Sequence, residues 1–268
     1  MSKSLGNSPD PLDVISTYGA DALRLTVLYL APIGQDVLYS NEKCEMGRKF
    51  ANKIWNAGRF LLMNRDAIAA EATADIAIVS AQDSTDLSDA WILSRYNSTV
   101  KNATVYLETF RVNDAGKLLY DFMWHDFCDW YVEFAKNRIA ETGDTRLKRS
   151  IINRAIRIYE ETLKLLHPFM PFVTEEIWQH LNERKPGESI MKAPWPGFDA
   201  SQIKPAAEQE MEFLQSAISA VRTIRSEMNI PPSKALDVVI NCHDDAKQQV
   251  LDSNRTTFER MAKLNSLT

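Results

Sequence analysis

A lysine flanked by serines, Ser2-Lys3-Ser4, stands at the start of the chain. An ammonium between two hydroxyls suits the charge that develops on a pyrophosphate leaving group. The plain reading of the same residues is a polar terminus. A second group spans Arg48, Lys49, Lys53, Asn56, Arg59 and Phe60. Lys53, Asn56 and Arg59 recur at spacings of three, which a helix brings together, and Phe60 adds a ring. Donors beside a ring can hold unpaired bases, by hydrogen bonds along their edges and stacking on their faces. Phe60 could equally pack into a helical bundle beside Asn56 and Met63. His125 lies near Asp126 and Asp129, yet no helical HxxxH or second ligand cluster accompanies it, so a packed histidine is expected and no metal site. His167, next to Pro168, is expected to serve a helix end. Trp91, Trp124, Trp130 and Tyr131 read as core. A serine nucleophile finds no G-x-S-x-G setting.

These side chains need a scaffold, and the composition supplies one. The chain has 268 residues, 45% of them hydrophobic, enough for a buried core. No run of eighteen apolar residues occurs, so neither a membrane span nor a secretory leader is read, and a cytoplasmic protein is expected. Cys44, Cys128 and Cys242 are odd in number and widely spaced, which argues for reduced thiols over disulfides or zinc. The net charge of -5 is unusual for a nucleic-acid binder. Its distribution is uneven, however: Lys43 to Arg65 holds six basic residues against Glu45 alone, and Arg146 to Lys164 six against Glu160 and Glu161. Two basic helices on an acidic body could focus an attractive field, or could be ordinary solvated faces.

Asp10-Pro11 reads as a helix start and Gly19 as its end. A second helix follows from Ala20 to Ala31. Ser40 can cap a long basic helix to about Asp66, with Met46, Phe50, Ile54, Ala57 and Leu61 on its apolar side. Residues 67–86 read as a connection. Ser88, Asn113 and Thr145 are candidate caps for helices to about Phe110, Ala140 and His167, and Thr174 for one to about Asn182. Short breaks between them predict antiparallel neighbours. Residues 186–205 look like an extended crossing, and 208–228 a further helix. Ala235 to Asn241 alternates as a strand that must find a partner, with helical segments after it.

The opening Met1-Ser2-Lys3-Ser4-Leu5-Gly6-Asn7 resembles the KMSKS signature of class I aminoacyl-tRNA synthetases, with the first lysine of the signature missing. Asp10 to Ile15, Tyr18 to Arg24 and Gly34-Gln35-Asp36 follow in the order found in the valine, isoleucine and leucine branch. Phe50 to Phe60, Phe127 to Tyr131, His167 to Phe172 and Ile224 to Pro232 resemble the valyl enzymes, with the isoleucyl enzymes as the alternative. The resemblance covers essentially the whole chain.

The resemblance implies a mainly α fold, a helical bundle of the class I anticodon-binding type, with a small C-terminal α/β piece. Residues 1–38 would be the KMSKS loop and tail of a catalytic domain, 39–200 the anticodon-binding domain, and 201–268 a helix plus small subdomain lacking the usual coiled coil. Lys3 would meet ATP phosphates, with Ser2 and Ser4 shaping the loop, ATP and Mg2+ being used only in the intact enzyme. The fragment alone would be catalytically incomplete and carry no cofactor. Its partner would be the anticodon stem-loop of tRNA(Val), held by Asn52, Lys53, Asn56, Arg59 and Phe60, with Arg48 and Lys49 on phosphates. Valine and ATP would be partners of the whole enzyme alone, and a monomer is expected. A helical protein-interaction module without RNA binding is the competing class.

Overall fold

Asp10 accepts the backbone N–H of Leu12 at 2.8 Å, Pro11 takes the first helical position, and Gly19 at φ +92 ends the turn. That is the helix start and stop expected of these residues, and it sets α1, Pro11–Tyr18. The computed structural model describes residues 9–30, 40–71, 86–231 and 233–268. Within them follow α2 (Ala20–Leu30), α3 (Asn41–Glu71) and α4 (Leu87–Glu108). One long helical run then comprises α5 (Val112–Asp121), a π segment (Phe122–Tyr131) and α6 (Val132–Glu141). After it come α7 (Thr145–Leu166), α8 (Pro171–Leu181), α9 (Pro205–Glu227), β1 (Leu236–Val238), α10 (Asp245–Ser253), α11 (Arg255–Ala262) and β2 (Leu264–Leu267). Ser2, Lys3, Ser4, Gly6 and the Gly34 to Asp36 motif lie outside the described residues, as does 72–85 of the expected connection.

The mainly α bundle is as read; several caps are not. Asp86, not Ser88, caps α4, accepting the Ser88 N–H at 2.9 Å. Asp144, not Thr145, caps α7, accepting the Arg146 N–H at 2.8 Å. A carboxylate just upstream outcompetes the hydroxyl because it is the stronger acceptor and favours the positive helix end. Asn113 sits inside α5, whose start has no side-chain cap. α8 starts at Pro171 rather than Thr174, and its cap comes from afar. Asp21 of α2 accepts the N–H groups of Phe172 and Val173 at 3.1 and 2.7 Å. Burial pushes the Asp21 carboxyl above its usual range, against the pull of those two bonds.

The expected single helix from 113 to 140 is interrupted by the π segment, and the aromatic spacing explains it. Phe122 and Phe127, and likewise Met123 and Cys128, lie five apart and are all buried. An i to i+5 winding puts such pairs on one face, where α winding would splay them. Tyr131 completes that face and donates to Asp89 at 2.9 Å. Asp89 is 1% exposed and also takes Arg154 and, at 3.0 Å, Arg138. Arg154, counted among the basic residues of its helix, is therefore internal to the fold rather than surface charge.

α2 and α3 approach closely at Gly47, where a Cβ would stand 2.7 Å from the Ala22 carbonyl oxygen. On the other side Tyr159 of α7 donates to the Ile54 carbonyl at 2.6 Å. Phe50, Ile54 and Leu61 of α3 face inward with Phe127, Tyr131 and Tyr159. The expected strand finds its partner through a helical crossover: β1 and β2 pair in parallel, joined by α10 and α11.

Candidate nucleic-acid interface

α3 and the long run from α5 to α6 lie side by side, and the line along which their half-buried side chains meet is the candidate groove. Three pairs fix their relation: Phe50 stacks 6.1 Å from Trp124, Lys53 meets Asp129 at 2.5 Å, and the Lys136 ammonium lies 4.8 Å from the Phe60 ring. Both numbers in each pair ascend together, so the two helices run parallel. Lys53 and Phe60 are seven residues apart and share one side of α3, and Asp129 and Lys136 repeat that step opposite.

The seven residues expected to meet RNA spread over two faces of α3. Lys53 is half-buried, with its Nζ paired to Asp129 and 5.0 Å from the centroid of the Trp124 ring. Phe60 is half-buried against the core, with one face open to Lys136. These two form one wall. Lys49 and Asn56 are exposed at its rim. Arg48, Asn52 and Arg59 are also exposed but lie further round, on the outward face, so the seven do not converge on one point. Arg48 is engaged in a two-pronged contact with Glu45, whose carboxyl it holds below the usual range.

Several groove residues were missed. Trp124 and Trp130, read as core, are half-buried and present ring faces to cations; Trp91 and Tyr131 are core as expected. Tyr120 stacks on Trp124 at 5.4 Å, and burial raises its phenol above the usual value. His125 is exposed rather than packed, with Nδ1 3.3 Å from Asp129 Oδ2. Within the π segment 127, 128 and 131 are buried, whereas 124, 125, 129 and 130 reach solvent. Trp55 is a further omission, 42% exposed on the outward face beside Asn52, Asn56 and Arg59. The ladder of rings and cations offers stacking faces, hydrogen-bond donors and one shared carboxylate. Burial pushes the Cys128 thiol behind it up to about 12, so that sulfur is inert. Among the described residues no cluster of side chains could hold a metal ion. No helix there is long and apolar enough to cross a membrane.

Residues 89–240 match the family model described as the anticodon-binding domain of tRNA ligase, and residues 1–40 that of class I tRNA synthetases (I, L, M and V). The chain is 41% identical over 270 residues to a valine–tRNA ligase of Fusobacterium nucleatum, covering 100% of this chain and 30% of that one. It is 43% identical over 262 residues to that of Bacillus subtilis, covering 97% and 28%. The chain thus spans about three tenths of the length of the curated relatives it matches. Among solved structures, the crystal structure of the ternary complex of Agrobacterium radiobacter K84 agnB2 LeuRS-tRNA-LeuAMS superposes with a TM-score of 0.53. That match has 19% identity and covers 76% of this chain and 23% of the other, a likeness of fold.

Proposed function

Since the chain belongs to the family of anticodon-binding domains of tRNA ligases, we propose that its groove grips the anticodon loop of a tRNA. The carrying observation is the paired arrangement of Lys53 over Trp124 and Lys136 over Phe60. An unpaired base can stack on the Phe60 ring once Lys136 swings from it to a phosphate, while Lys53, Asn56 and Asp129 meet base edges. Lys49, Arg48 and Arg59 supply backbone contacts, and Asn52 with Trp55 extends the surface outward.

The relatives' names suggest the setting, valine–tRNA ligation. There the protein would join valine to ATP as an adenylate and pass it to tRNA(Val). Lys3, with Ser2 and Ser4, would neutralise ATP phosphates together with Mg2+. Residues 1–38 then belong to the catalytic part, 39–200 to the anticodon-binding part and 201–268 to an appended helix and α/β unit, acting as a monomer in the cytoplasm.

The test is titration of a labelled anticodon stem-loop of tRNA(Val) against the chain by fluorescence anisotropy. Binding at low salt that weakens steeply as salt rises, and that Lys53→Ala and Phe60→Ala reduce, is expected. No binding at low salt, or binding indifferent to both variants, would rule the reading out. Equal affinity for valine and isoleucine anticodons would remove the valine assignment alone.

A further inference from the structure

Where α9 meets α11, two guanidinium groups lie in the protein without an acidic partner. Arg222 donates through Nε and Nη2 to the Met261 carbonyl at 3.1 and 2.9 Å and lies 5.2 Å from the Trp130 ring centroid. Arg225, one turn on, is 7% exposed and donates to the carbonyls of Lys263, Pro231 and Lys234 at 3.1, 3.2 and 2.7 Å. Carbonyl oxygens satisfy the N–H groups but do not neutralise the charge. Among the described residues neither guanidinium has a carboxylate within ion-pair distance. Burial draws Arg222 below its ordinary value, in keeping with that cost. The acids that face it, Glu133 and Asp129, act on it only at longer range. Lys263, exposed and held at φ +57 as it ends α11, adds a third cation. These three, with Ser226 and Asn229, line an open cleft of about 610 Å³.

We propose that this cleft binds a backbone phosphate of the RNA whose bases occupy the groove. Three cations around one concavity, with a hydroxyl and an amide as further donors, match an anion with several acceptor oxygens. Trp130 connects the two places: its ring lies beside Arg222, while Asp129, the preceding residue, holds Lys53. Asp129 also acts on Arg222 at longer range, so a strand running on past Asp129 would carry a neighbouring phosphate toward the cleft. The inference rests on the RNA-binding reading above, and the two can fail separately.

The experiment uses Arg222→Gln, whose amide can still donate to the Met261 carbonyl, and Lys263→Asn, since asparagine tolerates the left-handed backbone. Circular dichroism melts confirm folding. Stem-loop affinity is then measured over a salt series. Each variant should lower the slope of log K against log salt by about 0.7 to 1, and weaken matched and mismatched anticodons by the same factor. Unchanged slopes in both variants, while Lys53→Ala still weakens binding, would overturn the cleft and leave the groove standing. Loss of all RNA binding in the unmodified chain would overturn both. Inorganic phosphate that saturates the cleft without shifting the RNA titration would assign it to a free anion and overturn the proposal.

Discussion

The Nζ of Lys53 lies 2.5 Å from Oδ1 of Asp129, joining α3 to the π segment across 76 positions of sequence. The pair is about one-third exposed on both sides, so its worth to stability is under about 1 kcal/mol. In the proposed RNA complex the carboxylate would hold the ammonium in place and offer its own acceptor to a base amino group. Asp129→Asn should tighten binding of every stem-loop, since a negative charge leaves the groove, while flattening the preference for the matched anticodon. Anisotropy titrations against matched and swapped loops check this; preserved discrimination would separate Asp129 from base reading.

Asp89 is the acceptor at the centre of Arg138, Arg154 and Tyr131, all on other segments. Asp89→Ala leaves the buried Arg154 without its carboxylate, a loss of about 3–5 kcal/mol by the rule for broken buried pairs. Urea denaturation should show a matching fall in midpoint. A loss under about 1 kcal/mol would mean the network opens to water without cost.

Gly47 sits where α2 and α3 touch. A methyl there would meet the Ala22 carbonyl oxygen at 2.7 Å and its Cα at 2.9 Å, and backbone cannot swing aside as a side chain can. Gly47→Ala should therefore cost about 1–3 kcal/mol despite its gain in helix propensity. A raised melting temperature would show that the two helices separate freely.

Burial also holds His167 below the usual imidazole value, with Nδ1 2.8 Å from the Thr174 hydroxyl. Asp21 and Glu175 pull it upward and Arg24 downward, but desolvation is the largest effect. The unfolded chain takes the proton first, from about pH 6.5 downward. Stability is then complete above that pH and declines as pH falls toward the folded value. His167→Gln should flatten this decline in urea midpoints measured between about pH 7 and pH 5.

Much of the scaffold was legible because local chemistry agreed with it. Asp10, Pro11 and Gly19 bracket α1 unaided, and the apolar spacing of Phe50, Ile54 and Leu61 gave α3 its inward face. Lys53 and Phe60 were likewise visible, as a cation and a ring one heptad apart. Their partners were not, because Asp129 and Lys136 are remote in sequence, on a helical run that only the tertiary packing lays against α3. Five-residue spacings between Phe122, Phe127, Met123 and Cys128 were the available signal for the π segment, obscured because each is also an ordinary core residue. Asp21 as the cap of α8 had no local signature at all, being 151 residues from Phe172. Trp55 had one: it stands between Asn52 and Arg59 at helical spacing.

α3 and the helix opposite advance in the same sense, and their two lysine–aromatic contacts lie seven residues apart on α3, roughly 10 Å along its axis, and twelve apart on the other run. At the first, the ammonium comes from α3 and the ring from across; at the second, these roles are exchanged. Side chain for side chain this is close to a half-turn about an axis pointing out of the seam, so a strand laid either way would meet a lysine on one hand and a ring on the other, and only the difference between Trp124 and Phe60 and the common direction of the helices distinguish the two orientations.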